Sequence, residues 1–205
     1  ARKPHRGFQI FGEHARRHGP DPAVREKAVQ RIKDQMDFAS RLGIPRVTIG
    51  LIRGTVKPGT DQDQAEEYVR GCMAECLDHN PAVTLVLEPI NRYETSLYND
   101  TASAKEVIDR IGKPNLKMLI DTFHMNIEEP DMIQSILDVR ETISHVHFAD
   151  SNRWAPGCGH IDFKKIVRAL RRIKYRGAIC AEILPRPTPD ECLRLTIEYF
   201  GKLGL

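Results

Sequence analysis

The sequence has no long apolar run, no paired cysteine spacing and no excess of charge of one sign. A membrane helix needs roughly 18 consecutive apolar residues, and no stretch approaches that, so the chain is not expected to span a bilayer. No secretory leader is expected either, because the basic start Ala1-Arg2-Lys3 is followed by no apolar core. The five cysteines are an odd number with no CxxC and no accompanying Cys/His pair, which argues against a disulfide framework or a thiolate zinc site. A reducing, cytoplasmic setting is the expectation. Cys72 and Cys76 lie four apart on an expected helix and are read as ordinary buried thiols. The net charge of +3 is too small to imply nucleic acid as a partner.

What is present is an ordinary globular composition. Hydrophobic residues make up 40% and charged residues 29% of 205 positions, which fits one domain over residues 1–205 with a sizeable core. The first 20 residues carry Arg2, Lys3, Arg6, Arg16 and Arg17 against the single acid Glu13, and are read as a solvated or irregular segment. Beyond them, short β-branched runs alternate with helical patterns. A helix is expected over 22–42, from Asp21-Pro22 to Gly43, and a strand over Arg46–Ile52. Then follow a helix over 61–79, a strand over Ala82–Glu88 and a helix from a Thr101 cap to Ile111. Next come a strand over Leu116–Asp121, a helix near 130–139 and a strand over Ile143–Phe148. A helix from Asp162 to Lys174, a strand over Ala178–Ile183 and a last helix from Pro189 complete the chain. One helix followed by five β-α units predicts an α/β fold, a parallel sheet with helices packed outside it.

Four of the expected strands end in a possible metal ligand: Glu88, Asp121, His147 and Glu182. Their spacing is one β-α unit each, so they should lie at the same end of neighbouring strands, where parallel α/β folds build their sites. Strand side chains alternate. Glu88 therefore shares a face with Val86, Asp121 with Leu119, His147 with His145 and Glu182 with Cys180, and the opposite parity carries the apolar residues that suit a helix layer. Three carboxylates in one buried place repel unless a cation compensates. Three carboxylates and an imidazole are a hard set, suited to Mn²⁺, with Co²⁺ or Mg²⁺ as alternatives. Such an ion with open positions can acidify the hydrogen beside a carbonyl by stabilising the enediolate. Two carboxylates at that carbon would then epimerise it, and proton transfer between adjacent carbons would isomerise an aldose and a ketose.

Three longer motifs carry a resemblance. They are Leu87-Glu88-Pro89-Ile90-Asn91-Arg92-Tyr93-Glu94, Asp121-Thr122-Phe123-His124-Met125-Asn126-Ile127-Glu128-Glu129, and the run from His147 through Arg153-Trp154-Ala155-Pro156-Gly157-Cys158-Gly159 to His160. From about Pro20 onward the chain resembles the ketose 3-epimerase branch of the xylose-isomerase-like TIM barrels, which includes D-tagatose/D-psicose and L-ribulose 3-epimerases. The third motif, with Ile49-Gly50-Leu51-Ile52-Arg53-Gly54 upstream, is most similar to the 5-keto-L-gluconate epimerases. The resemblance implies a divalent metal on Glu88, Asp121, His147 and Glu182, with Glu88 and Glu182 as the acid/base pair. It also implies that Glu94, His124 and Arg153 contact substrate. The partner implied is a small sugar, with no nucleic acid and no membrane, and assembly into a homo-oligomer is left open.

The chain departs from the family's eight-stranded pattern at its N-terminus. Five clear units are expected, with the strand ending near Gly54 matching the family's fourth and Gly7–Gly12 a remnant of its third. The barrel is thus expected to hold five to six of eight units, with two to three more encoded upstream of Ala1. The inward residues Thr84, Val86 and Leu119 are expected to lie uncovered. Rival readings are hydroxypyruvate or sugar-phosphate isomerisation on the same barrel, an apurinic endonuclease, and an inactive fragment or metal-binding module. The loop Leu184-Pro185-Arg186-Pro187 has no glycine to bring backbone N–H groups to a phosphate, which favours an unphosphorylated ketose or keto-sugar acid.

Overall fold

A computed structural model describes residues 22–56, 59 and 61–205. The Gly7–Gly12 segment, the basic N-terminal stretch and Asp21 lie outside the described residues. Five strands, β1 (Arg46–Ile49), β2 (Thr84–Leu87), β3 (Leu116–Asp121), β4 (Ile143–Phe148) and β5 (Ile179–Ala181), form one parallel sheet in the order of the chain. Seven helices accompany them among the described residues: α1 (Pro22–Arg41), α2 (Gln62–His79), α3 (Thr101–Ile111), α4 (Thr122–Glu128), α5 (Met132–Asp138), α6 (Phe163–Arg172) and α7 (Pro189–Leu203).

The helices start where short polar side chains can take their free N–H groups. Asp61 accepts from Gln64 N, Asp162 from Lys165 N, and Thr188 from Glu191 N ahead of Pro189. The apolar stripe of α1 buries Ala28, Val29, Ile32, Met36 and Ala39, and Gly43 follows at φ 69°, a left-handed turn that suits glycine. One face of the sheet presents Leu85, Leu87, Met118, Ile120, Val146 and Phe148 to Ile32, Met36, Met73, Leu77, Phe163 and Ile166 of the helices. This is the helix-facing parity expected from the alternation. Cys72 and Cys76 are buried in the same layer as free thiols, and burial pushes the Cys76 thiol up to about 12.

The sheet curls. In a flat sheet β2 and β5 would stand three strand spacings, about 14 Å, apart. Yet one donor atom from each of Glu88, Asp121, His147 and Glu182 lies within 4.8 Å of the others. At the opposite end, Arg46 Nε of β1 donates to Ser144 Oγ of β4 at 2.8 Å. Ser144 is the extra residue where the register passes from Met118↔Ile143 to Leu119↔His145, a bulge that adds to the bend. The curl also corrects one expectation. Val86 and Leu119 are fully buried on the concave face, because curling folds that face onto itself, while Thr84 is half-buried.

Other differences are local. β1 stops at Ile49, and Leu51–Arg53 form a 3₁₀ turn rather than more strand. Asp100, not Thr101, caps α3: its side chain accepts from Ser103 N, while Thr101 N donates to Glu129 Oε1 at 2.7 Å. α4 was not expected. It begins with no intervening loop after β3, because Asp121 is both the last strand residue and the helix cap. β5 is three residues long, shorter than the expected Ala178–Ile183.

Candidate metal and active site

The four expected ligands are brought together. Glu88 follows the end of β2, Asp121 ends β3, His147 lies one residue from the end of β4, and Glu182 follows β5. His147 Nδ1 stands 3.3 Å from Glu182 Oε2, 3.6 Å from Glu88 Oε1 and 3.7 Å from Asp121 Oδ2. Gly50 makes room for this, since a Cβ there would lie 3.1 Å from Glu88 Oε2. Glu88 and Asp121 are buried, whereas the Glu182 side chain is about half exposed.

The electrostatics of the cluster are uneven. Burial pushes the Asp121 carboxyl up, opposed by Arg153 and reinforced by Glu88 and Glu182, to about 7. Glu182 is held down to about 2, first by the His147 imidazole 3.3 Å away and then by Arg153, against burial. Burial works to lower His147, but the Glu182 and Glu88 carboxylates outweigh it and raise the imidazole to about 10.

The residues fit a divalent ion. Glu88 Oε1, Asp121 Oδ2 and His147 Nδ1 are buried without a hydrogen-bond partner, which native proteins avoid unless something else satisfies such atoms. Donors bound to one ion at about 2.1 Å lie within about 4.2 Å of each other, close to the spread seen here. With His147 neutral, three carboxylates against the Arg153 guanidinium leave two negative charges, which one divalent cation neutralises.

Two further expected residues stand beside the cluster. Arg153 Nη2 donates to Glu182 Oε2 at 2.5 Å, Nη1 lies 3.4 Å from Asp121 Oδ1, and the guanidinium stacks 4.8 Å from the Phe123 ring centroid. Its backbone is left-handed, at φ 62°, a conformation that a non-glycine residue adopts mainly where its surroundings impose it. His124 is buried, and burial with the nearby Arg153 holds it down to about 3, so it is neutral. Asn91 Oδ1 accepts from Tyr93 N, which orients the Asn91 amide so that Nδ2 donates to His124 Nδ1 at 2.7 Å. Those bonds make Nδ1 the acceptor and place the imidazole proton on Nε2, so the 3.3 Å approach of Arg153 Nη1 to Nε2 is a contact between two donors, both free to meet a substrate oxygen. Glu94 is not among the clustered residues. It is exposed, and its Oε1 accepts from Asn91 Nδ2 at 2.9 Å, which links it to His124 through Asn91.

Comparison with known proteins places this arrangement. The xylose isomerase-like TIM barrel family pattern matches residues 5–202. The chain belongs to that family. It is 32% identical over 165 residues to a ketose 3-epimerase of Arthrobacter globiformis, covering 79% of this chain and 57% of that protein. It is 39% identical over 177 residues to an L-ribulose 3-epimerase of Mesorhizobium japonicum, covering 84% of this chain and 59% of the relative. Among solved structures, D-allulose 3-epimerase from Methylomonas sp. superposes with a TM-score of 0.79 at 27% identity, covering 89% of this chain and 71% of that one. The chain thus spans less than two thirds of the length of these curated relatives.

Within this xylose isomerase-like frame, three N–H groups of the loop after β4 turn inward rather than toward a ligand. Asp150, fully buried, takes them internally: Oδ1 accepts from Ser151 N and Ile161 N, and Oδ2 from Gly157 N at 2.8 Å. A Cβ at Gly159 would collide with Asp150, so that glycine serves close packing. Asp150 O also accepts from Arg153 N, and Arg153 O from Leu184 N, which ties the loops after β4 and β5 together. Sequence reasoning gave no role to Asn91, Asp150 or Arg53. All three sit inside quoted motifs, and the first two are short polar residues within three positions of a proposed ligand or contact, a signal that could have flagged them.

Proposed function

We propose that this chain carries the catalytic centre of a metal-dependent sugar epimerase acting on an unphosphorylated ketose or keto-sugar acid, at a carbon beside the carbonyl. The observation that carries the reading is the convergence of four donors with three buried, unpartnered ligand atoms. The sugar class comes from relatives named as ketose and L-ribulose 3-epimerases. Glu88, Asp121, His147 and Glu182 would hold the ion, Mn²⁺ by the hardness of the set. When bound, it supplies Lewis acidity to vicinal substrate oxygens.

The protein's own groups do the rest. Glu182, kept ionised by His147 and Arg153, is ready to accept the carbon-bound proton, and Glu88 returns one, so the pair exchanges the hydrogen through an enediolate. The neutral His124 offers a fixed Nε2–H, and Arg153 a charged N–H, to the oxygen on which negative charge builds. Glu94, through Asn91, holds His124 in that tautomer. The internal use of the Gly157 and Ile161 N–H groups by Asp150 supports a substrate without phosphate. A reducing compartment suits the free thiols.

The test is a panel of ketoses, keto-sugar acids, hydroxypyruvate and sugar phosphates in deuterated water, using chelator-treated protein with and without Mn²⁺. Metal-dependent deuterium entry at a carbon beside the carbonyl of a free ketose or keto-sugar acid is expected. Mn²⁺ binding with no exchange on any sugar would leave a metal-binding module instead. Exchange confined to phosphorylated substrates would replace the substrate class.

A further inference from the structure

Arg53 is 1% exposed and among the largest fully buried side chains of the molecule. A buried guanidinium normally faces a carboxylate. This one bonds main chain instead. Nη1 donates to Glu88 O at 2.7 Å and to Gly50 O at 3.1 Å, Nε to Leu97 O at 3.1 Å, and Nη2 to Tyr98 O at 3.4 Å. One side chain thus clamps three segments: the turn after β1, the strand end that carries Glu88, and the far end of the loop after β2. That loop is stitched to the same turn by further bonds, from Thr95 Oγ1 to Gly54 O and from Val56 N to Ser96 Oγ. Asn91 and Glu94 lie between its two anchored ends. Glu88 O precedes Pro89 and has no strand partner beyond Leu87 in β2, so the Arg53 fork holds that carbonyl where the ladder has ended.

Resting on the function proposed above, we infer that Arg53 is a positioning residue: it sets the Glu88 main chain, and with it the carboxylate, and it fixes the Asn91–Glu94 loop that orients His124. Its planar fork makes this possible, because four donors leave one rigid group in directions an ammonium cannot reproduce. Its buried positive charge also lies under a carboxylate-rich site, but charge alone would not demand this geometry. Residues that brace a ligand from behind typically alter metal affinity or activity by about 10–100-fold when changed.

The experiment compares wild type with Arg53→Lys and Arg53→Met, each first checked for a cooperative melt and a wild-type near-UV spectrum. Metal-free proteins are titrated with Mn²⁺, and kcat and KM are measured on the best ketose of the panel. Folded variants are expected to bind Mn²⁺ about 10–100-fold more weakly and to lose a similar factor in kcat, with KM within about 3-fold of wild type. Arg53→Lys keeps the charge but should not restore either value. Mn²⁺ affinity and kcat within about 3-fold of wild type in a folded Arg53→Lys would overturn the inference, since a merely structural arginine lowers the melting temperature without moving them. Should neither variant fold, hydrogen exchange on the wild type decides: Mn²⁺ should slow exchange at residues 50–54 and 95–98, and unchanged exchange there refutes the clamp. Absence of Mn²⁺ binding by the wild type would instead remove the metal site on which the inference stands.

Discussion

Asp121→Asn is expected to stabilise the metal-free protein and to abolish its stabilisation by metal. Asp121 is 1% exposed, and its carboxyl is pushed up by burial from 3.8 to about 7. At ~1.36 kcal/mol per unit, holding it ionised at pH 8 costs about 4 kcal/mol. Asparagine keeps the cap, because its Oδ1 can still accept from Phe123 N and His124 N. The new amide nitrogen would take the place of Oδ2, which has no hydrogen-bond partner, and an unmet buried donor costs about 1–3 kcal/mol. The net gain is roughly 1–3 kcal/mol, or about 3–10 °C in Tm for a chain of this size.

The sign follows from the raised pKa. The penalty is absent below pH 3.8, where the carboxyl is protonated in both states, grows between pH 3.8 and about 7, and is complete above. The gain should therefore appear at pH 8 and turn into a loss of about 1–3 kcal/mol near pH 4, where only the unmet amide donor remains. Glu88, Glu182, His147 and Arg153 face the same group, and all remain in the variant. Differential scanning calorimetry in chelator at both pH values measures the first half of the prediction. Adding Mn²⁺ at about 100 times its Kd should raise the wild type by ~2.7 kcal/mol and leave the variant nearly unmoved. A variant that melts several degrees below wild type in chelator at pH 8 would show that Asp121 carries no such burial penalty.

Glu88→Gln and Glu182→Gln should each lower turnover by at least ~10²-fold while retaining substrate binding, and near wild-type turnover in either would remove it from the acid/base pair. Asn91→Ala leaves His124 Nδ1 without its 2.7 Å donor and should lower kcat by about 10-fold or more. The ¹⁵N shifts of the His124 ring report whether the tautomer has been freed. Ile32→Ala, in the buried stripe of α1, should cost about 2–5 kcal/mol and lower Tm without changing KM.

The site was legible because its ligands recur once per strand and share one parity. Glu88, Asp121, His147 and Glu182 could be aligned from spacing alone, and β3 and β4 have the expected ends. What the sequence concealed is polar and non-periodic. Arg53 bonds carbonyls, which every residue type offers, so no partner residue announces it. α4 was hidden because Asp121 ends a strand and caps a helix at once, leaving no turn residues to mark the change. β5 was overextended because the apolar pattern continues to Ile183, although the ladder ends at Ala181.

The four donors come from the ends of four different strands, and this bears on how the protein comes apart. Glu88 and Glu182 meet only when β2 through β5 are paired and bent, so the binding geometry does not exist in a partly assembled sheet. A ligand that contacts only the finished arrangement leaves the folding barrier alone and deepens the native well. Mn²⁺ should therefore slow unfolding while leaving the refolding rate unchanged, and the loaded protein should owe its longevity to a slow escape from the native state.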